Sequence, residues 1–214
     1  MSARDNILRR VRSALEVSAA QAARRAQEVS AMLASHPRGP MPRMDWALTG
    51  RFKDRCIGLS STVDEVASLH DVPAAVARYV QSNSLPAAAC CWQTYADMPW
   101  KEAGLDIEFR PANGDDKTGI TGCFCAIAET GTLMTLSGES TPLTNSLLPD
   151  THIAIVPRSC IVRSMEDAWD LLRGEHGKMP RQVSFVSGPS RTADIEMTMV
   201  LGIHGPYRVH VVLV

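Results

Sequence analysis

Residues 62–92 contain the pattern that decides the fold. An extended run, Thr62-Val-Asp-Glu-Val66, is followed by Asp71-Val-Pro-Ala-Ala-Val-Ala-Arg-Tyr-Val-Gln-Ser-Asn83 and then by the apolar run Ala87-Ala-Ala-Cys-Cys-Trp92. Asp71 is a suitable helix N-cap and a proline is tolerated in the first helical turn, so the middle segment is predicted to be a helix. The two flanking runs are predicted to be strands. A strand, a helix and a second strand in succession indicate a parallel sheet with helical crossovers.

The remainder of the chain continues this alternation of strands and helices. A short helix is predicted over 165–173, with Trp169 and Leu172 on its inward face. Apolar or alternating runs predict further strands at 106–110, 131–136, 152–157, 182–187 and 209–214. We therefore predict a layered α/β fold whose sheet is largely parallel.

The first 43 residues have a different pattern. Apolar residues recur at helical spacing over 5–15, and an Ala-rich helix is predicted over 19–34. The Pro-rich segment 36–42 follows, and its prolines prevent the helix from continuing. We predict two parts: a helical arm with its linker over 1–43, and an α/β domain over 44–214.

Length, composition and charge limit the classes of function. A chain of 214 residues with 45% hydrophobic content can bury one substantial core, and it has no window apolar enough to cross a membrane. The formal net charge of -1 gives no strong field to attract nucleic acid or an acidic membrane surface. We therefore expect a cytoplasmic protein without nucleic-acid or membrane partners.

Basic residues nevertheless crowd the N-terminal quarter of the chain. Two interpretations stay open for them: a solvated helix face, and a docking surface for an acidic partner. The residues concerned are Arg4, Arg9, Arg10, Arg12, Arg24, Arg25, Arg38, Arg43, Arg51, Lys53 and Arg55.

The six cysteines do not have the spacing of a metal or cluster site. There is no Cys-x-x-Cys pair and no four-cysteine run, so we expect this chain alone to bind no iron–sulfur cluster. The adjacent Cys90 and Cys91 lie in an apolar run, where cysteine behaves as a small buried hydrophobe. Cys123 and Cys125 would share one face of an extended segment, which leaves a redox or metal role open for them.

Three polar, glycine-containing stretches adjoin predicted strands, and strand edges are where open α/β sheets bind ligands. The first stretch ends in Ala128-Glu-Thr-Gly-Thr132, directly at the start of a strand. Glu129 lies just before the turn glycine Gly131, so its carboxylate could act as a nucleophile or base, or orient a cationic group. Alternatively, Glu129 only braces the turn through the hydroxyl groups of Thr130 and Thr132.

The second stretch, Ser187-Gly-Pro-Ser-Arg-Thr-Ala-Asp-Ile-Glu196, follows an apolar strand. Gly188 allows a close turn, Ser190 and Thr192 offer hydroxyl groups, and the backbone amides of a following helix N-terminus would attract an anion. Arg191 adds a guanidinium fork suited to carboxylate or phosphate. The stretch therefore predicts an anion-binding loop.

The third stretch, Leu201-Gly-Ile-His-Gly-Pro206, precedes the final strand. Its His204 is suited to hydrogen-bond Asp194 or Glu129, so Glu129, Asp194 and His204 are predicted to share one cleft at the carboxyl ends of the strands. Blander interpretations stay open: a structural histidine in the third stretch, and in the second an ordinary helix start whose dipole Asp194 and Glu196 complement.

Taken together, the stretches 128–132, 187–196 and 201–206 resemble the signature sequences of the LUD family. The arm segment Ile7-Leu-Arg-Arg-Val-Arg-Ser-Ala-Leu15 is also similar to that family's N-terminal helix. The family is similar in fold to the sugar-isomerase, CoA-transferase and formyltetrahydrofolate cyclo-ligase superfamily. The resemblance thus implies a three-layer α/β/α sheet with an N-terminal helical arm. The cysteines at 123 and 125 depart from the apolar residues expected there and could add sensitivity to oxidation.

The resemblance also implies a function and a site. It implies a subunit of a system that oxidises L-lactate to pyruvate together with two cysteine-rich, iron–sulfur partner proteins. The subunit would bind a small anionic ligand or have another accessory role, and the clusters are expected on the partners rather than on this chain. By position, the implied catalytic residues are Glu129, Asp194 and His204. The implied ligand-binding residues are Thr130, Gly131, Thr132, Gly188, Pro189, Ser190, Arg191, Thr192, Glu196 and Gly205.

Two other functions stay open at this point. One is a stand-alone enzyme of acyl, phosphoryl or folate-type chemistry, with Glu129 as nucleophile or base. The other is a non-catalytic scaffold that uses the basic arm to hold neighbouring proteins together. Fold analogy is a weak guide to reaction class, so the sequence leaves open whether this chain is itself catalytic.

Overall fold

The computed structural model describes residues 2–15, 18–193 and 198–214. The chain divides into two compact units, Met1–Arg43 and Met44–Val214. Among the described residues, no helix is both long enough and apolar enough to span a membrane.

The first unit contains two helices, α1 (Ala3–Ala14) and α2 (Ala19–Ser35). Each begins after a serine, Ser2 or Ser18, whose side chain accepts a hydrogen bond from the backbone N–H three residues later. The side chain of that later residue bonds back to the N–H of the serine, which completes a capping box. No residue of α1 is buried, so local capping rather than a core of its own stabilises this helix.

A six-stranded parallel sheet forms the centre of the second unit, with the strand order β1-β12-β7-β4-β2-β3. The strands are short, and the inner ones are buried on both faces. Their bounds are β1 Thr62–Glu65, β2 Ala88–Cys91, β3 Asp106–Phe109, β4 Thr118–Thr121, β7 Thr151–Val156 and β12 Arg208–Leu213.

A second sheet has the strand order β8-β5-β6-β9. Its bounds are β8 Ile161–Val162, β5 Cys125–Ile127, β6 Thr132–Leu136 and β9 Val183–Val186. Strands β5 and β6 form an antiparallel hairpin, and β6 also pairs antiparallel with β9. A separate two-stranded ribbon joins β10 (Arg191–Thr192) to β11 (Val200–Leu201).

Helix α4 (Val72–Ser82) packs on one face of the central sheet. Its Val76 and Val80 belong to the same core cluster as Ile153 and Ile155 of β7. This is the helix that the sequence predicts over 72–83, and its buried residues recur at the helical spacing that defines an apolar face.

The opposite face is covered by α3 (Leu48–Gly58) together with the second sheet. Phe52 of α3 shares a core cluster with Ala154 and Val156 of β7, so alternate residues of one strand serve the two cores. Helix α5 (Met165–Glu175) packs on the second sheet through Leu172.

The predicted α/β fold is confirmed: a central parallel sheet is flanked by helices, and an N-terminal helical arm is present. The sequence patterns did not predict α3, β4 or β5. Helix α3 has only two buried residues, Phe52 and Cys56, which is too thin an apolar stripe to detect by periodicity. Strands β4 and β5 are very short and fully buried, so neither alternates between apolar and polar residues.

Candidate functional site

The first two polar stretches meet through a chain of hydroxyl groups. The hydroxyl oxygens of Thr130 and Thr132, in the hairpin between β5 and β6, lie 2.7 Å apart. The Thr132 hydroxyl also lies 2.6 Å from that of Ser187, which follows β9. Because β6 and β9 pair in the register Leu133↔Val186, the ladder itself places residues 132 and 187 side by side.

The second and third stretches meet through the backbone of Ser190. Its N–H donates to the carbonyl of Pro206 at 2.9 Å, and its carbonyl accepts from the N–H of Gly202 at 3.0 Å. A Cβ added at Gly205 would lie 3.4 Å from the Cβ of Ser190. The two loops are therefore in direct van der Waals contact.

Two glycines allow these loops to lie against the end of α3. Gly131 has φ +70° and Gly188 has φ +76°, a conformation that other residues rarely adopt. A Cβ at Gly131 would lie 2.8 Å from the Cβ of Arg55, and one at Gly188 would lie 2.7 Å from the carbonyl oxygen of Leu59. Any larger residue at either position would push its loop away from the helix.

Arg191 ties the second stretch to the residues that follow α3. Its Nη2 donates to the carbonyl of Leu59 at 2.9 Å and to the hydroxyl of Ser60 at 2.6 Å. The side chain is otherwise exposed, and its Nη1 and Nε donors take no part in these two bonds. A guanidinium held through Nη2 is fixed in direction and keeps the N–H donors of Nη1 and Nε for an anion.

We call this group of residues the amino-edge cluster; its members are Thr130, Thr132, Ser187, Ser190 and Arg191. Its neighbours lie at the amino end of the central sheet, because Ser60 precedes β1 and Pro206 precedes β12 by two residues each. The prediction that this site lies at the carboxyl ends of the parallel strands is therefore wrong. The physical reason is that β5, β6 and β9 belong to a second sheet and that the third stretch precedes its strand rather than following one.

The structure also corrects the local geometry predicted for the second stretch. Residues 191–192 form strand β10 rather than the first turn of a helix, so no helix N-terminus begins at Arg191. Pro189 and Thr192 are buried and support the loop from inside. Asp194 and Glu196 lie outside the described residues.

Glu129 and His204 lie in the loops that the cluster joins. Glu129 is half-buried at the tip of the β5–β6 hairpin, and its backbone N–H donates to the carbonyl of Arg163 at 3.0 Å. Within the described ranges, the Glu129 carboxylate has no hydrogen bond or ion pair, and the hairpin threonines bond to each other instead. His204 is exposed between β11 and β12. A cleft shared by Glu129, Asp194 and His204 stays a prediction, since Asp194 lies outside the described residues.

The sequence analysis missed a cavity of about 240 Å³ beside the carboxyl ends of β2 and β3. The signal that could have found it is Gly138-Glu-Ser140, a polar glycine-containing loop directly after a predicted strand. We call it the carboxyl-edge cavity; its lining residues are Cys91, Gln93, Phe109, Arg110, Pro111, Glu139, Ser140 and Pro142.

One wall of the carboxyl-edge cavity is held rigidly. Arg110 donates from Nη1 and Nη2 to the two carboxylate oxygens of Asp116, at 2.7 and 2.9 Å. The adjacent guanidinium lowers the pKa of Asp116 below its ordinary value. The buried Asn145 donates from Nδ2 to the carbonyl of Arg110 at 3.0 Å and accepts from the N–H of Ala112 at 2.9 Å.

Cys123 and Cys125, for which a redox or metal role was left open, pack in two different core clusters. Cys125 is fully buried, with its sulfur 3.7 Å from that of Met134, whereas Cys123 contacts Cys160. The hypothesis of a shared face for Cys123 and Cys125 is therefore wrong. In the part of the chain that the structure describes, no group of three or more His, Cys, Asp or Glu side chains could hold a metal ion.

These observations define a layered α/β protein in which two signature loops carried by a second sheet meet a third, which precedes β12, at one edge of the central sheet. The sequence model of the LUD domain matches residues 56–214, so the chain belongs to the LUD domain family. The fold is similar to that of a DUF162 family protein from Deinococcus radiodurans, solved by crystallography. The TM-score is 0.60 at 24% identity, over 81% of this chain and 99% of that one.

Several relatives share more of the sequence over shorter stretches. Lactate utilization protein C of Exiguobacterium sp. is 44% identical over 143 residues, which cover 64% of this chain and 61% of that protein. Lactate utilization protein C of Bacillus subtilis is 41% identical over 99 residues, which cover 45% of this chain and 41% of that protein. The chain thus matches about half the length of these relatives, and the family resemblance predicted from the sequence is confirmed.

Proposed function

We propose that this chain is a subunit of a lactate utilization system, in which it binds a small anionic ligand. In this proposal two cysteine-rich, iron–sulfur partner proteins oxidise L-lactate to pyruvate, and this chain binds no cofactor of its own. The name of the relatives, lactate utilization protein C, supports the choice of system. The observation that carries the binding role is the hydrogen-bonded contact of all three signature loops in the amino-edge cluster.

The chemistry of the cluster favours a carboxylate as ligand. Arg191 is a permanently charged donor whose Nη1 and Nε groups can each donate a charge-assisted hydrogen bond to a carboxylate. Its bonds to Leu59 and Ser60 fix its direction, so little side-chain freedom remains to be lost on binding. The exposed Ser187 hydroxyl can donate to the same anion or accept from a ligand hydroxyl, and L-lactate carries both groups.

The proposal assigns proton handling to Glu129, His204 and Asp194. Glu129 adjoins Thr130, the first hydroxyl of the cluster, and its carboxylate is not committed to an ion pair within the described ranges. A carboxylate and an imidazole beside a bound hydroxy acid are suited to take up and return a proton. Removal of the Glu129 charge should then affect function more than it affects folding.

A second function is favoured by a separate observation on the arm. Helix α1 has no buried residue, and its apolar residues Ile7, Val11 and Leu15 are 62%, 48% and 64% exposed. Three arginines, at positions 9, 10 and 12, accompany this apolar stripe. An apolar stripe beside cationic side chains suits docking on an acidic protein partner, which is what a scaffold would need.

Growth on L-lactate of the native host, deleted for this gene and complemented with variants, tests the proposal. Ser187→Ala removes one hydroxyl of the cluster. Ser184→Ala, in the adjoining strand β9, is the matched control, because the Ser184 hydroxyl accepts a hydrogen bond from Gln182 and is not a member of the cluster. We expect Ser187→Ala to slow growth, Glu129→Gln to abolish it, and Ser184→Ala to leave it unchanged, at equal protein levels.

Three outcomes would argue against this assignment. Normal growth of both the Ser187→Ala and the Glu129→Gln strains would remove the amino-edge cluster from the function. If, in addition, deletion of residues 1–43 abolished growth while the remaining domain stayed folded, the scaffold function would replace ligand binding. Normal growth on L-lactate of the host that lacks the whole gene would exclude a role of this chain in lactate utilization.

A further inference from the structure

Two cysteines from distant parts of the chain lie in contact at the carboxyl edge of the central sheet. The sulfur atoms of Cys123 and Cys160 are 3.6 Å apart. Cys123 follows β4 by two residues and Cys160 follows β7 by four, and β4 pairs with β7 in the sheet. Two adjacent parallel strands therefore hold the two thiols together, although 37 residues separate them in sequence.

This pair differs from the other four cysteines in accessibility. Cys56, Cys90, Cys91 and Cys125 are buried, whereas Cys123 and Cys160 are partly exposed. Cys123 also lines a cavity of about 280 Å³, whose walls include Trp92, Phe124 and His176. A small reagent can thus reach the pair from solvent.

The surroundings of Cys160 favour its thiolate. The S–H of Cys123 stabilises the Cys160 thiolate by a hydrogen bond, and the backbone N–H of Ala126 adds a second donor, so the pKa of Cys160 is lowered. The pKa of Cys123 is raised, because its S–H is held in the hydrogen bond to Cys160, because partial desolvation disfavours its charged form, and because other thiols lie nearby. One member of the pair is therefore the nucleophile and the other supplies the second thiol.

We propose that Cys123 and Cys160 form a redox-active dithiol site that reduces low-molecular-weight disulfides and is itself converted to an intramolecular disulfide. The 3.6 Å separation carries this inference, since the sulfurs need to approach by only about 1.5 Å to reach bonding distance. The site is separate from the amino-edge cluster and does not depend on the lactate proposal.

The reaction balances as two thiol–disulfide exchanges. The Cys160 thiolate attacks one sulfur of the incoming disulfide, the bond between its two sulfurs breaks, and the first small thiolate leaves and takes up a proton. Cys123 then loses its proton and attacks the Cys160 sulfur of the mixed disulfide, which releases the second small thiol. Two electrons pass from the protein to the small disulfide, and the protein loses two hydrogen atoms.

The disulfide would link the loops after β4 and β7 across the carboxyl edge. Closing a loop of 37 residues restricts the unfolded chain, so the oxidised protein should unfold at a temperature higher by roughly 5 °C or more. Since Cys123 and Trp92 line the same cavity, conversion of the two thiols to a disulfide should also alter the Trp92 fluorescence.

The test is titration of the reduced full-length chain with oxidised glutathione, followed by thiol counting under denaturing conditions and by intact mass. We expect the six thiols to fall to four, a mass loss of about 2 Da, and a Cys123–Cys160 peptide in a non-reducing digest. Cys123→Ser should stop at a mixed disulfide with a gain of about 305 Da on Cys160. Cys125→Ala is the matched control and should form the disulfide normally.

Retention of all six thiols in the wild-type chain under these conditions would overturn the proposal. So would a disulfide that joins any other pair of cysteines, or an unchanged two-thiol loss in both Cys123→Ser and Cys160→Ser. Because the wild-type thiol count needs no variant, the proposal stays testable even if one substitution impairs folding.

Discussion

The two edges of the central sheet are built in different ways. At the amino edge, three loops are joined by hydrogen bonds between hydroxyl groups and by hydrogen bonds between backbone groups. Glycines let two of these loops lie against the end of α3. At the carboxyl edge, side chains from strand ends line a cavity, and a pair of thiols lies in contact beside a second cavity. Open α/β sheets usually bind ligands at the carboxyl edge, yet here the signature stretches of the family lie at the amino edge.

This difference arises from the second sheet. Strand β6 pairs with β9 rather than with a strand of the central sheet, and the hairpin tip therefore reaches the amino end of β1 and β12. The lesson is that a rule for one parallel sheet does not locate loops that a second sheet carries.

The largest effect is expected at Gly119, in β4 between the two edges. A Cβ there would lie 2.0 Å from the backbone carbonyl oxygen of Asn145, so the loop that contains Asn145 would have to move. We expect Gly119→Ala to lower the free energy of unfolding by about 3 kcal/mol or more, as measured by urea denaturation.

The matched control for this substitution is Gly174→Ala in α5, where a Cβ meets nothing within 4 Å. That change should be neutral or stabilise by up to about 1 kcal/mol, because alanine is the better helix former. Equal stability of Gly119→Ala and the wild type would show that the Asn145 loop is not packed as described.

A pH effect of similar size is expected from two buried histidines in the central sheet. Burial lowers the pKa of His152 and of His210 to about 4, from 6.5. The folded state therefore favours the neutral rings. Their contribution to the free energy of unfolding is complete above pH 6.5 and declines as the pH falls toward 4. The loss should amount to roughly 3 kcal/mol for each histidine.

Urea denaturation at pH 7.5 and at pH 4.5 measures this loss. His152→Gln can keep the hydrogen bond between Nε2 and Thr121, and His210→Asn can keep the one between Nδ1 and Thr62. Neither glutamine nor asparagine titrates in this pH range. Each variant should be less sensitive to acid than the wild type. A variant that loses as much stability as the wild type between these pH values would contradict the assignment.

A smaller effect is expected from the ion pair at the carboxyl-edge cavity. Asp116→Asn removes the charge that Arg110 binds through two hydrogen bonds, although the side chain keeps its shape. Because Arg110 is about one-third exposed, solvent screens the pair, and the loss should be about 1 kcal/mol at neutral pH. Since the pKa of Asp116 is lowered, the stability advantage of the wild type over Asp116→Asn should disappear as the pH falls below the pKa of an ordinary aspartate.

The sequence predicted the strands that are long enough to show a recognisable run of apolar residues. The apolar runs at 87–92, 152–157 and 209–214 became β2, β7 and β12 because buried parallel strands need such runs. Helix α3 and strands β4 and β5 were missed, since their burial comes from tertiary contacts and leaves no periodic signal.

For the site, the sequence identified the stretches but not where they lie. The contact between Thr132 and Ser187 depends on the pairing of β6 with β9, and the contact between Cys123 and Cys160 depends on the pairing of β4 with β7. Strand order is a property of the whole fold, so no local pattern reports either contact.

The most direct test of the account compares ligand binding at the two edges. Calorimetric titration of pyruvate and L-lactate should be made with the wild-type chain, with Arg191→Ala in the amino-edge cluster, and with Glu139→Gln in the carboxyl-edge cavity. We expect Arg191→Ala to weaken binding by about tenfold or more and Glu139→Gln to change it by less than about twofold. Loss of binding in Glu139→Gln with unchanged binding in Arg191→Ala, or no binding of either carboxylate to the wild-type chain, would contradict it.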